Sequence, residues 1–390
     1  MVRLLLVLLF SLGLVAREPV VILSFDGFGA DRFTAQATPG LWKLAQAGWQ
    51  GRGLPPFPST TFNGHATLAT GCGPERHGIV ANAFVDPEAG FVAHGASPQW
   101  LQAEPLWIAA TRAGLKAAVW HWPCGEGPWR DLAPWRLEPY RSGRSDAEAL
   151  AFAGSALADG ADLVMVYLSG VDGEGHRHGP GSPEVAAKLA ALDALTTPWI
   201  EAQRAAHPNL RLWLLADHGM ATMKRRIHVP TVLEGIPARV VAHGGSATIY
   251  LERAEQRRAA RRLLKAAGLT AWTREALPTR FRLKGSPRVG DLVVLAPVGT
   301  WLSGARTPEE DRNERQGRSG AHAYRGNDPT MPTLMVLLGA GQGRLGDIPL
   351  WDIAPTVAQW LGLRWEAPRD GRPIPVLTRP APAGPGPGRS

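Results

Sequence analysis

Three short apolar runs in this chain each lead into a carboxylate, and that repetition restricts the fold more than any other feature. Val20 to Phe25 (VVILSF) runs into Asp26-Gly27, Ala161 to Ser169 (ADLVMVYLS) into Gly170-Val171-Asp172, and Leu210 to Ala216 (LRLWLLA) into Asp217-His218-Gly219. Near-continuous apolar runs of this length read as strands buried on both faces, as in a parallel sheet covered by helices. Helical spacing of apolar residues fills the intervals, over Pro39 to Ala47, Pro105 to Ala113, Asp146 to Ala158 and Pro183 to Ala206. Thr333 to Leu338 adds another core strand, and Asp352 to Leu361 a late helix packed on the sheet. The expected class is α/β, an open and mostly parallel sheet flanked by helices. Ligands of such sheets bind outside the carboxyl ends of the strands, which is where these three acids stand.

Residues 230–315 have a different texture. Gly245 to Leu251, Thr270 to Arg274 and Asp291 to Ala296 read as strands around an Arg-rich amphipathic helix, Arg253 to Ala267, so a small α+β insertion is expected there. Thr307 to Ser319 is dense in charge and reads as an exposed loop. Residues 379–390 are too rich in Pro and Gly to bury anything and are expected to be disordered. At the other end, Arg3 precedes an apolar run from Leu4 to Val15 that is short of the ~20 residues a membrane span needs. With Ala16 as the small residue at the cleavage point, residues 1–16 read as a secretory signal peptide, which predicts a secreted or periplasmic chain without a membrane span after cleavage. The catalytic domain is then 17–378. Cys72 and Cys124 could pair in such a compartment, but two cysteines make neither a disulfide scaffold nor a Cys-rich zinc site. A net charge of +8 suits anionic partners in general and selects none; no basic tract interleaved with aromatics marks a nucleic-acid-specific module.

Polar residues with metal-binding chemistry gather in a few stretches. These are Ser24-Phe25-Asp26-Gly27-Phe28, Pro58 to His65 (PSTTFNGH) followed by Thr70-Gly71 and by His77 to Asn82 (HGIVAN), Gly170 to Pro180 (GVDGEGHRHGP), Asp217-His218-Gly219, and Gly320-Ala321-His322-Ala323-Tyr324. Zinc takes imidazole nitrogen and carboxylate oxygen in tetrahedral sites. The D-x-x-x-H spacing of Asp172 and His176 lets a strand-end loop turn two ligands onto one ion. Adjacent Asp217 and His218 can share an ion only in a turn, since neighbours in a strand face opposite ways.

In these motifs, and in their order from about Val20 to Leu363, the sequence resembles the nucleotide pyrophosphatase/phosphodiesterase family (type I phosphodiesterases) of the alkaline phosphatase superfamily. The resemblance implies an alkaline phosphatase-like sheet and two Zn2+ ions: one on Asp172, His176 and His322, the other on Asp26, Asp217 and His218 with Thr61 as its fourth ligand. It implies Thr61 as the nucleophile of a phosphothreonine intermediate, Asn82 as a hydrogen-bond donor to a non-bridging phosphoryl oxygen, and Phe62 with Tyr140 as the aromatic pair around a nucleobase. The implied substrate is a small-molecule phosphodiester or nucleotide. The chain departs from the family's usual pattern in Asn63-Gly64 for Pro-Asn, in Ala323 for a Gly after the last His, and in Cys124 for the Gly of Trp-Pro-Gly. A Thr hydroxyl needs activation to attack, and a metal can supply it. A helix over Phe62 to Thr70 would add its N-terminal dipole.

Several residues offer alternatives. Cys72-Gly73-Pro74-Glu75-Arg76 matches the C-x-P-x-R pattern of sulfatases, but it follows Thr70-Gly71 rather than occupying the place of Thr61. His243 rivals His322 as the third histidine; His322 is preferred because it precedes the core strand at Thr333. His65 reads as a structural helix residue, His178 as exposed or supporting, and Glu174 as a dispensable general acid. On the same fold, a lipid head-group phosphodiesterase, a phosphomonoesterase and a catalytically silent phosphate-ligand binding protein are the competing functions. The phosphomonoesterase lacks an identifiable Arg for the extra phosphate charge.

Overall fold

The computed structural model describes residues 18–378; the expected signal peptide and C-terminal tail lie outside the described residues. Eight strands form the central sheet: β1 Val20–Phe25, β2 Trp49–Leu54, β3 Ala117–Trp120, β4 Arg136–Glu138, β5 Leu163–Leu168, β6 Arg211–Leu215, β7 Thr333–Leu338 and β8 Gly343–Pro349. Their order is β8-β2-β7-β6-β1-β5-β3-β4. Only β7 runs against its neighbours, pairing antiparallel with both β6 and β2.

Both faces of the sheet are covered at its centre, which is why the strands β1, β5, β6 and β7 are apolar at nearly every position. Val20 and Ile22 of β1 join Leu163 and Met165 of β5 on one face, packed with the helices Thr61–Thr70, Leu106–Arg112 and Ile353–Trp360. Val21, Leu23 and Phe25 point the other way, into a second core with Pro39–Ala45, Asp146–Ala158 and Pro183–Ala206. This is the period-2 alternation of a strand seen from two hydrophobic sides. Local signals set the helix starts. Ser145 and Glu148 form a reciprocal capping box, and Ser182 accepts from the Val185 amide ahead of Pro183.

Residues 230–315 carry a four-stranded antiparallel sheet, in which Ser246–Leu251 lies between Ala238–Ala242 and Leu292–Leu295, and Thr270–Thr273 takes the edge beside Leu292–Leu295. The helix Arg257–Ala266 buries Ala260 and Leu264 against it. The charged stretch from Thr307 is more ordered than an exposed loop: Asp311 is buried, caps the helical turn Arg312–Arg315 and meets the Arg226 guanidinium at 2.8 Å. Both cysteines are free and buried. No helix among the described residues is long and apolar enough to cross a membrane.

Candidate active site

Three neighbouring strands at the middle of the sheet, β6, β1 and β5, deliver the three carboxylates to one place. Asp26 follows β1 directly. Gly27 next to it has φ +72, and a Cβ there would stand 2.9 Å from the Asp172 Cα, so only glycine fits this turn. Asp217 and His218 leave β6 in a bend, as their adjacency requires. Asp172 and His176 differ from expectation: they lie on the helix Gly170–His178, not in a loop, and one turn of helix brings Asp172 Oδ1 to 3.5 Å from His176 Nε2.

The histidines are oriented by backbone carbonyls. His176 Nδ1 is 2.9 Å from Gly320 O, His218 Nδ1 3.0 Å from Gly219 O, and His322 Nδ1 3.0 Å from Ser59 O. A carbonyl only accepts, so each Nδ1 carries the proton and each Nε2 lone pair points inward. Those Nε2 atoms converge. His322 Nε2 is 3.1 Å from His176 Nε2 and 3.9 Å from Asp172 Oδ1. His218 Nε2 is 3.4 Å from Asp26 Oδ1 and 3.3 Å from Asp217 Oδ2. His218 stands between the two sets, its ring stacked on His322 at 3.9 Å, and its ligand atom also gathers with those of Asp172 and His322.

Asp26 Oδ1, Asp172 Oδ1 and Asp217 Oδ2 are buried without a hydrogen-bond partner. Burial, followed by the charges of Asp217 and Asp172, holds the Asp26 carboxyl well above the ordinary value. Burial, followed by His218 and His176, holds His322 well below its own, and burial also lowers His176. Acids and imidazoles starved of counter-charge at this spacing are a donor set that fits divalent cations. Orienting the rings through Nδ1 is the usual outer support of such a site. Sequence reasoning missed Tyr167, whose hydroxyl donates to Asp26 Oδ2 at 2.5 Å. Its signal was a lone polar tip in an otherwise apolar strand.

Thr61 is the first residue of the helix Thr61–Thr70, and its Oγ1 lies 3.3 Å from His218 Nε2. Thr60, at the N-cap, keeps its hydroxyl buried and unpartnered. The helix start is firmly tied despite the Asn63-Gly64 departure: Asn63 Nδ2 donates to Pro58 O at 2.8 Å, and a Cβ on Gly64 would stand 2.8 Å from the Asp217 Cβ. The other two departures place Ala323 and Cys124 at φ +69 and +66, a left-handed backbone that glycine adopts without strain. Asn82 Oδ1 accepts from the Phe62 amide at 2.8 Å, which leaves Nδ2 as the outward donor.

Beside Thr61 and Asp26 opens a cavity of about 470 Å³. Phe62 and Tyr140 both line it, Tyr140 half exposed and edge-on to His121 at 5.3 Å. His94, His121 and Glu126 complete the wall; they come from loops whose sequence gives no periodic signal. Burial raises the Glu126 carboxyl, with His94 partly opposing it.

Of the remaining candidates, His65 borders the cluster, its Nδ1 lying 3.4 Å from Asp217 Oδ2. His65 is fully buried on the helix, between Ser24 Oγ at 2.9 Å and Thr61 O at 2.8 Å. Cys72 is buried beyond the end of that helix, where burial pushes its thiol up. Glu174 pairs with Arg177 at 2.8 Å and lies 3.5 Å from His178. His243 is not among the converging groups.

Comparison with known proteins shows the family. Residues 20–325 match the family described as type I phosphodiesterase / nucleotide pyrophosphatase. The chain belongs to this family. It is an enzyme of the phosphodiesterase type with the alkaline phosphatase-like fold. A Schizosaccharomyces pombe protein named as an uncharacterized pyrophosphatase/phosphodiesterase is 28% identical over 84% of this chain and 72% of its own length. Venom phosphodiesterase 2 of Crotalus adamanteus is 31% identical, but over 52% of this chain and only 27% of its own length. The solved structure of murine ectonucleotide pyrophosphatase / phosphodiesterase 5 superposes with a TM-score of 0.81 at 25% identity, covering 91% of this chain and 97% of that one. Its inactive threonine-to-alanine variant was solved in complex with AMP, and that structure superposes with a TM-score of 0.82.

Proposed function

We propose that this chain is a two-zinc nucleotide phosphodiesterase and pyrophosphatase that forms a covalent phosphothreonine at Thr61. One observation carries the reading: three imidazole lone pairs and three partnerless carboxylate oxygens converge beside the Thr61 hydroxyl. Asp172, His176 and His322 would hold one ion; Asp26, Asp217 and His218, with Thr61, would hold the other. Zinc bound there supplies Lewis acidity for the phosphoryl oxygens and eases loss of the Thr61 proton. Thr61 Oγ1 attacks phosphorus, the leaving oxygen departs with its electron pair, and water then cleaves the Thr61 ester. Asn82 Nδ2 faces a non-bridging oxygen, and the helix dipole at Thr61 favours the incoming anion. Phe62 and Tyr140, which both line the cavity beside Thr61, flank the base, and the AMP complex of the murine relative supports a nucleotide as the ligand. The apolar run at residues 4–15 supports export, to the periplasm or beyond.

A substrate panel on the purified zinc-loaded protein tests this. Bis-p-nitrophenyl phosphate, p-nitrophenyl phosphate, p-nitrophenyl thymidine 5′-monophosphate, ATP and glycerophosphocholine are compared by kcat/KM. Nucleotide diesters and ATP are expected to lead. Preference for the monoester or for glycerophosphocholine overturns the nucleotide reading. Replacing Phe62 with Ala is expected to raise KM for the thymidine ester roughly ten- to a hundredfold, since stacking a base on an aromatic ring is worth ~1–3 kcal/mol. A KM within twofold of wild type would remove Phe62 from the base site.

A further inference from the structure

Two polar side chains stand side by side where β1 and β5 reach the cluster. Ser24 and Tyr167 are register partners across these parallel strands, on a face where Val20 and Ile22 precede the one and Leu163 and Met165 the other. Polar groups buried in such an apolar layer cost free energy unless each is paired. Ser24 Oγ lies 2.9 Å from His65 Nε2, and the Tyr167 ring stands edge-on to the His65 ring at 4.9 Å. His65 Nδ1 is 2.8 Å from Thr61 O, which only accepts, so Nδ1 carries the proton and Ser24 donates to Nε2. The Tyr167 hydroxyl reaches beyond this layer to Asp26 Oδ2 at 2.5 Å. A phenol is a far weaker acid than a carboxyl group, so the hydroxyl is the donor. This bond distinguishes the two oxygens of Asp26. Oδ2 is taken by Tyr167, whereas Oδ1 has no hydrogen-bond partner and lies 3.4 Å from His218 Nε2. Asp217 repeats the arrangement: Oδ1 accepts from the Gly27 amide at 3.2 Å, and Oδ2, without a hydrogen-bond partner, lies 3.3 Å from His218 Nε2. Each carboxylate is anchored by one oxygen and free at the other. The Gly27 anchor is backbone and comes with the chain path. The Tyr167 anchor is one hydroxyl on a ring whose packing Phe would supply as well.

We propose that Tyr167 is a positioning residue for the cation held by Asp26, Asp217 and His218: its hydroxyl ties down Asp26 Oδ2, so that Oδ1 alone is presented to the ion. This rests on the two-ion reading above. A carboxylate fixed in advance loses less freedom when the ion binds than one that swings, and outer hydrogen bonds of this kind set the orientation of a ligand. Tyr167 also lines the cavity beside Thr61, so a fall in activity alone would not separate a contact with substrate from a hold on Asp26. Metal affinity separates them.

The test adds Tyr167→Phe, which deletes one hydroxyl and keeps the ring against His65, to two backgrounds that each retain one ion. Asp172→Ala keeps the Asp26 set, and Asp217→Ala keeps the Asp172 set. Zinc affinity is read by competition with a chromophoric chelator. In the Asp172→Ala background, Tyr167→Phe is expected to weaken zinc roughly ten- to a hundredfold, the usual cost of removing such a support. In the Asp217→Ala background it is expected to leave the affinity within about twofold, which also shows that the variant is folded. Cobalt(II) in the Asp172→Ala background gives a second readout. With Oδ2 released, Asp26 can bind through both oxygens, and the visible absorption is expected to fall as coordination rises above four. Unchanged zinc affinity in Asp172→Ala, or equal weakening in both backgrounds, overturns the assignment. If wild type binds one equivalent of zinc, the two-ion reading fails, and the effect of Tyr167→Phe on that single ion still decides the assignment. If wild type binds none, both are overturned.

Discussion

Thr61→Ala is expected to lower kcat at least about a thousandfold, the scale seen when a covalent nucleophile is removed. The fold should survive, because the Thr61 side chain makes no capping bond and its hydroxyl meets only His218. Zinc content should stay near wild type, because Asp26, Asp217 and His218 still converge and water can complete a tetrahedral site. Thr61→Ser keeps the oxygen and loses the methyl group that restricts χ1, so part of the turnover should return. Thr60→Ala is the matching control. Its hydroxyl is buried, unpartnered and absent from the cluster, so the replacement should cost turnover little. A dead Thr60→Ala beside an active Thr61→Ala would place the nucleophile one residue earlier. Full activity in both would exclude a covalent threonine step, and trapping phosphate on Thr61 by rapid quench and mass spectrometry reads that step directly.

Stripping the metal with a chelator is expected to abolish turnover, and zinc to restore it. The same treatment should also lower the melting temperature, which is a readout independent of catalysis. Three carboxylates, each with one buried oxygen lacking a hydrogen-bond partner, repel one another in the cluster, and a ligand at a hundred times its Kd adds about 2.7 kcal/mol of stability for each site. The expected fall is on the order of several degrees. Asp172→Ala and Asp217→Ala separate the two ions, since each removes a carboxylate from a different set. Each variant should lose about one of the two zinc equivalents by elemental analysis. Two equivalents retained in either variant would show that its carboxylate is not a ligand, and full activity in metal-free protein would end the two-metal mechanism.

The strands and most helices were legible because burial on two faces writes a continuous apolar run, and burial on one face writes a 3.6-residue period. Asp146–Ala158 and Pro183–Ala206 fall where spacing and capping residues put them. Asp26 and Asp217 were legible as acids at strand ends. Their meeting with Asp172 was not, because adjacency of β6, β1 and β5 is a property of strand order, and sequences separated by more than a hundred residues carry no local record of it. The D-x-x-x-H spacing fits a loop or one helical turn equally well, and only packing of Gly170–His178 beside the sheet selected the helix.

By itself the sequence showed, through residue type and short-range spacing, which residues could ligate a cation. The resemblance to the family, rather than spacing, singled out Thr61 and Phe62 among their neighbours. Tertiary structure decided the rest. It pinned the Nδ1 protons of His176 and His322 on distant carbonyls and turned their lone pairs inward. It placed Tyr167 against Asp26, walled the cavity with His94, His121 and Glu126, and left one carboxylate oxygen each of Asp26, Asp172 and Asp217 without a partner. Each of these depends on distance between atoms remote in the chain, and a partner's absence, like its presence, exists only after the chain has closed around it.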